Sequence, residues 1–201
     1  MADQGAEGLL SPFLRSQRLK VVRPYIKGMV LDVGCGTGAL ASIVPSDCYI
    51  GVDLDEQSLA IARQRYPRYS FQSAMPAAEP VFDTVVSLAV IEHVLDPERF
   101  LRELAMRLSC GSDHFLVFTT PHPAVDWIHT AGAKVGLFSR HANEEHEDLL
   151  DRTRIEALAN QCNLKLIIYR RFLFGANQLA VFQKNGDTAW KYQKVLPKMA
   201  L

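Results

Sequence analysis

The sequence predicts a three-layer α/β fold, a doubly wound sheet that is mostly parallel with an antiparallel C-terminal strand. Three observations predict it. Short apolar runs alternate with stretches of helical periodicity, the pattern of a parallel sheet covered on both faces. Residues 30–38, Val-Leu-Asp-Val-Gly-Cys-Gly-Thr-Gly, carry one such run into three alternating glycines. A buried strand reads this way when it breaks into a tight turn against a ligand, because glycine permits positive φ and lets the backbone come close. Finally, the chain has 201 residues, 48% of them hydrophobic, enough for one domain with a sizeable core.

The elements follow in order. Residues 1–28 form an N-terminal segment, helical over 9–27 and closed by Gly28. Residues 29–33 are the first strand, and 39–44 begin a helix fed by the glycine turn. Cys48–Asp53 is a second short strand ending in an acid, 56–66 a helix with Leu59, Ala62 and Tyr66 at helical spacing, and Tyr69–Phe71 a weak third strand. Phe82–Leu88 is a β-branched fourth strand. Asp96-Pro97-Glu98 then starts a helix: Asp caps, Pro suits the first helical position, and Glu suits the positive end of the dipole. Phe100, Leu101, Leu104, Ala105 and Leu108 form its apolar stripe and Gly111 closes it. His114–Thr120 is the fifth strand, stopped by Pro121. Residues 121–150 carry four histidines and an acidic run, and read as a lid insertion. Thr153 and Glu156 fit a capping box before a helix with Ile155, Leu158, Ala159 and Cys162. Leu164–Tyr169 and Gln178–Gln183 then form an antiparallel hairpin. The main domain spans 29–186, and 187–201 is a lysine-bearing tail.

Composition narrows the function. Lys+Arg and Asp+Glu are equal at 22 each, so the basic field of a general nucleic-acid binder is missing. Cys35, Cys48, Cys110 and Cys162 form no CxxC pair, which argues against a thiolate zinc site and for small buried residues in a reducing compartment. The N-terminus has neither the basic start nor the apolar stretch of a signal peptide, and no segment has the length and apolarity of a membrane span. These features predict a cytoplasmic protein with no integral membrane segment, a monomer or homodimer.

In a doubly wound sheet, ligands bind outside the carboxyl ends of the strands where strand order reverses. The first strand ends at Gly34, the second at Asp53 and the fourth near Leu88, so all three line one crevice. Two cofactors compete for it. Gly34, Gly36 and Ala39 satisfy the dinucleotide pattern GxGxxA formally. That turn faces a pyrophosphate, however, and Asp32 two residues before it would be badly placed. A cofactor with a cationic end fits Asp32 better, because a carboxylate at the end of a buried strand needs a partner. Asp53 can then accept from both hydroxyls of a ribose.

Here the chain resembles the class I S-adenosylmethionine-dependent methyltransferases of the small bacterial type. Val30–Leu40 is similar to the family's acid-x-Gly-x-Gly-x-Gly turn, and Gly51-Val52-Asp53 to its second motif. Phe82-Asp83, Ile91-Glu92-His93-Val94, Asp96-Pro97 and Leu101-Arg102-Glu103-Leu104 are similar to the stretch that follows, and Thr119-Thr120-Pro121 to the end of the fifth strand. The likeness covers residues 29–121 well and 151–184 more loosely. It implies a Rossmann-like fold, S-adenosyl-L-methionine as cofactor, S-adenosyl-L-homocysteine as product and a small-molecule acceptor of sugar-, lipid- or quinone-type. Two departures stand out. The acid that often bonds adenine after the third strand is replaced by Gln72-Ser73-Ala74-Met75, and the usual Lys-Pro-Gly-Gly turn is Ser109-Cys110-Gly111-Ser112.

The resemblance places Asp32, Gly34, Cys35, Gly36 and Gly38 at the methionine end of the cofactor, Asp53 and Leu54 at the ribose, and Ser73, Ala74, Met75, Leu88 and Ala89 around the adenine or sulfonium. Methyl transfer needs an aligned acceptor and, for some acceptors, removal of a proton. His93, after the fourth strand, is the acid/base candidate, with packing over the cofactor as the bland reading. His122, Arg140, His141 and His146 of the lid are acceptor-binding candidates. His141 and His146 stand five apart, not at the four-residue spacing of two ligands on one helical face, so no metal is expected. The alternatives are a nicotinamide-dependent oxidoreductase and a non-catalytic protein of this fold that only binds the cofactor.

Overall fold

The computed structural model describes residues 11–79, 81–123 and 150–185. Its elements run α1 (Ser11–Val22), β1 (Val30–Val33), β2 (Tyr49–Val52), α2 (Glu56–Arg65), β3 (Ser70–Gln72), β4 (Thr84–Leu88), α3 (Pro97–Arg107), β5 (Phe115–Pro121), α4 (Arg152–Gln161), β6 (Leu164–Phe172) and β7 (Asn177–Lys184). The strands form one sheet of order β3-β2-β1-β4-β5-β7-β6. All neighbours up to β5 are parallel, while β7 runs antiparallel to both β5 and β6. The doubly wound fold and its antiparallel C-terminal strand are as the sequence predicts.

Alternation along the strands divides the core in two. Leu31, Val33, Val85, Leu116, Phe118 and Phe182 face one side, where they meet Leu101 and Leu104 of α3 and Ile155 and Leu158 of α4. Val30, Val86, Phe115, Val117, Leu179 and Val181 face the other, against Val21 and Val22 of α1, Leu40, and Leu59 of α2. β1 lies between β2 and β4, with β2–β3 wound to one side and β4 onward to the other. The reversal of strand order therefore falls at β1, directly below the glycine turn.

Helix starts obey capping chemistry. Asp55 accepts from the backbone N–H groups of Gln57 and Ser58, and Asp96 from that of Arg99, with Pro97 in the first turn. Two expectations are corrected. The stretch after the glycine turn is a 3₁₀ helix, Ala39–Ile43, instead of an α-helix. Gly38 enters it in the left-handed region and Val44 leaves it extended, as a residue before a proline prefers. Five residues between those constraints leave no room for two α-turns. At α4 the cap is Asp151, which accepts from the Arg154 N–H at 2.7 Å, and not the Thr153–Glu156 box.

Most of the expected lid and the C-terminal tail lie outside the described residues, and with them Arg140, His141 and His146. Among the described residues no helix is long and apolar enough to cross a membrane.

Candidate active site

The glycine turn is shaped from below by the ends of its neighbours. The Val52 carbonyl at the end of β2 accepts from the N–H groups of both Gly34 and Cys35, at 2.8 and 3.0 Å. Gly34 has φ 76°, and a Cβ there would stand 2.2 Å from Val90, the residue that carries the chain away from β4. Gly36 has φ 51°, and a Cβ there would meet nothing within 4 Å. One glycine thus lets two strand ends close on each other, while the other leaves its space bare on the crevice side.

Asp32 lies under this turn, 2% exposed. Its Oδ2 accepts from the Tyr49 hydroxyl at 2.7 Å. Burial pushes the Asp32 carboxyl up to about 7, with the Tyr49 hydrogen bond opposing and the Asp53 charge adding. Desolvation, with Asp32 next in weight, moves the Tyr49 hydroxyl up as well. Asp53 is held at the end of β2 by two backbone donors: Gly36 N–H gives to Oδ2 at 2.7 Å and Asp55 N–H to Oδ1 at 2.9 Å. Each oxygen keeps a further lone pair for a ligand.

The crevice measures about 250 Å³ and opens at the carboxyl edge of the sheet. Asp32, Gly34, Cys35, Gly36 and Leu88 line it, as expected. So do Arg15, Arg18 and Leu19 of α1, together with Thr37 and Ser58, none of which the sequence reading selected. Arg15 and Arg18 are three apart on one helical face, and that spacing is the signal that points both at one ligand. Burial, and behind it the neighbouring Arg15, lower the Arg18 pKa against the opposing charge of Glu92. Other expected residues stand around the crevice without lining it. Leu54 is 90% exposed beside Asp53, Ala89 takes φ 58° at the end of β4, and Gly38 closes the turn against Phe71. Ser73 engages Glu56, the Ala74 carbonyl accepts from the Gln72 amide, and Met75 packs against the core on the α3 side. His93 is exposed at the end of the turn Ile91–His93. His122 follows β5, its N–H donating to the Ala176 carbonyl, and burial lowers its pKa.

The family described as "Methyltransferase domain" matches residues 31–115. A probable S-adenosylmethionine-dependent methyltransferase of Mycobacterium tuberculosis is 34% identical over 134 residues, which cover 64% of this chain and 47% of the relative. A ubiquinone biosynthesis O-methyltransferase of Parvibaculum lavamentivorans is 31% identical over 107 residues, covering 48% of this chain and 42% of the relative. In fold, the chain is similar to magnesium protoporphyrin IX methyltransferase of Synechocystis, solved with bound S-adenosylhomocysteine, at a TM-score of 0.64 with 14% identity and 90% coverage of both chains. Residues 31–115 thus match a methyltransferase domain, and the chain is similar to S-adenosylmethionine-dependent methyltransferases. It spans about half the length of the curated relatives it matches. Its sheet carries an antiparallel β7 beside β5 and a glycine turn at the switch point. The matched stretch ends at β5, so α1, with Arg15 and Arg18, stands outside it.

Proposed function

We propose that this chain transfers a methyl group from S-adenosylmethionine to a small-molecule acceptor. The observation that carries the reading is the convergence of Asp32, a bare Gly36 and the doubly anchored Asp53 at the switch point, in a crevice roofed by two arginines. These residues fit the group. The space that a side chain at Gly36 would fill is left for the donor. The free lone pairs of Asp53 accept from the two ribose hydroxyls, and the exposed Leu54 beside it covers the adenine. Asp32 complements the ammonium of the methionine end, and Arg15 and Arg18 complement its carboxylate. Leu88 and Ala89 border the sulfonium.

The donor supplies a methyl carbon already activated by the positive sulfur. What remains for the chain is to align the acceptor, exclude water and take a proton where the acceptor carries one. The acceptor enters at the carboxyl ends of β4 and β5, beside Pro121 and His122. Its small-molecule character is supported by the balanced net charge and by relatives that act in ubiquinone biosynthesis.

The test is a calorimetric titration with S-adenosylhomocysteine and with NADH, followed by a screen of small acceptors for S-adenosylhomocysteine formation. Saturable binding of the first ligand alone, with turnover on some acceptor, is expected. Binding of NADH alone would leave the oxidoreductase in its place. Binding without turnover across sugar, lipid and phenolic acceptors would reduce the chain to a cofactor-binding protein.

A further inference from the structure

Tyr49 and Gly51 stand two residues apart on β2 and share one face of the sheet. The register sets Asp32 of β1 beside Gly51 and Phe71 of β3 on its other side. Gly51 is thus a gap in a row of side chains. Tyr49 leans along the strand over that gap, and its hydroxyl donates to Asp32 Oδ2 at 2.7 Å. A tyrosine is long enough for this, since two residues of strand span about 6.6 Å. A Cβ at Gly51 would stand 2.8 Å from the Tyr49 hydroxyl and 2.7 Å from Phe71. The bare position is what lets the contact form.

The Tyr49 ring is held from several sides. Tyr69 and Phe71 each meet it edge-on with centroids 5.6 Å away, and the Tyr69 hydroxyl donates to the Val44 carbonyl at 2.8 Å. Phe71 and Tyr66 also back the glycine turn, 2.9 and 3.2 Å from where a Cβ on Gly38 would lie. One aromatic platform therefore supports both the turn and the acid beneath it. A phenylalanine at position 49 would fill the same space and keep the ring contacts, so packing does not account for the hydroxyl. Packing does not account for Asp32 either, because an apolar residue in that buried row would avoid the cost of desolvating a carboxyl. The hydroxyl engages only one of the two oxygens. Asp32 lines the crevice, whereas Tyr49 does not, and Oδ1 is the oxygen left for a ligand there.

We propose that Tyr49 is a positioning residue of the donor site: it holds Asp32 by Oδ2 so that Oδ1 faces the ammonium of the donor's methionine end. This rests on the methyltransferase reading above. Tyr49 acts through Asp32 alone. A carboxyl group that rotates freely loses that freedom when a cation binds; one already fixed by an oxygen does not, so the ordering cost is met by the fold. The same hydrogen bond opposes the effect of burial on the carboxyl, and so favours the charged form that attracts a cation.

The test compares S-adenosylhomocysteine with 5′-methylthioadenosine, which keeps the adenosine and the sulfur but lacks the amino and carboxylate groups. Both are titrated calorimetrically into the full chain. In Tyr49→Phe, S-adenosylhomocysteine should weaken about three- to tenfold, the scale of one lost hydrogen bond, while 5′-methylthioadenosine stays within about twofold. Asp32→Asn should likewise weaken S-adenosylhomocysteine alone. Adding Tyr49→Phe to it should then change little, because two residues that act as one unit are not additive. A wild-type measurement covers the case in which Tyr49→Phe does not fold. The buried Tyr49 hydroxyl proton, assigned by its through-space contacts to the Tyr49 ring, should move in the NMR spectrum with S-adenosylhomocysteine far more than with 5′-methylthioadenosine. Equal weakening of both ligands in Tyr49→Phe would make the residue a packing element only. Unchanged S-adenosylhomocysteine affinity, full additivity in the double variant, or a hydroxyl proton that moves equally with both ligands would also overturn the proposal. A wild type that binds neither ligand would instead remove the methyltransferase reading itself.

Discussion

Asp32 is buried with one oxygen on Tyr49 and its carboxyl pushed up to about 7 from an ordinary 3.8. A raised carboxyl favours the protonated form in the folded state. Its contribution to stability is therefore fully present below the ordinary value and is lost as the pH rises through about 7, over a span worth on the order of 4 kcal/mol. The expected outcome is that Asp32→Asn flattens this part of the pH–stability curve of the unliganded protein, read by urea unfolding at several pH values. A cationic donor reverses the preference, since it favours the carboxylate. S-adenosylmethionine binding at about pH 6 should then release a proton, seen as calorimetric heats that vary with the ionisation heat of the buffer; buffer-independent heats would detach Asp32 from the donor. Asp53→Ala should lower S-adenosylhomocysteine affinity at least about tenfold, the loss of one to two charge-assisted hydrogen bonds, with the fold intact by circular dichroism. The glycines separate by role. Gly34→Ala drives a methyl into Val90 and should unfold the domain at lower urea. Gly36→Ala meets no protein atom, so it should weaken cofactor binding far more than it shifts the unfolding midpoint, beyond the roughly 1–2 kcal/mol of left-handed backbone strain.

At the scale of elements, what was legible was what neighbours in sequence decide. β1 was readable because an apolar run meets three glycines, and α3 because Asp96-Pro97-Glu98 combines a cap, a first-turn proline and a favourable charge. The 3₁₀ turn Ala39–Ile43 was not, since its length is set jointly by Gly38 and by Pro45 beyond it. β6 runs to Phe172, three residues past its expected end, because pairing with β7 holds Arg170 and Arg171 in the ladder opposite Leu179 and Gln178. At α4, Thr153 satisfied a pattern but Asp151 does the capping. Asp151→Ala is expected to cost about 1 kcal/mol, a fall of about 2–4 °C in the thermal midpoint of a chain of this size. Thr153→Ala should leave the midpoint nearly unchanged, and neither should alter S-adenosylhomocysteine affinity. The opposite order of effects would return the cap to Thr153.

Over the whole molecule, the crevice joins groups that no local pattern connects. Arg18 bonds Asn177 across 159 positions, and Tyr49 reaches Asp32 across 17. The acidic and glycine positions were readable because one segment holds them all, whereas the α1 arginines reach the site only through packing. The sequence reading set residues 1–28 apart from the main domain, yet Val21 and Val22 of α1 are 7% and 0% exposed within the second core cluster. Burying a valine contributes roughly 1.5–3 kcal/mol, so the pair accounts for a large share of a total stability of about 5–15 kcal/mol. The Lys27 N–H further donates to Thr84 Oγ1, which ties the helix exit to β4. A chain shortened to begin at Arg23 should therefore unfold at markedly lower urea and lose S-adenosylhomocysteine affinity, because it gives up a core face and both arginines at once. The paired variant Arg15→Ala/Arg18→Ala separates the two effects: it keeps the valines, so its unfolding midpoint should stay close to that of the wild type while the affinity falls. If the shortened chain kept both midpoint and affinity, α1 would be an appendage and the crevice would end at the glycine turn.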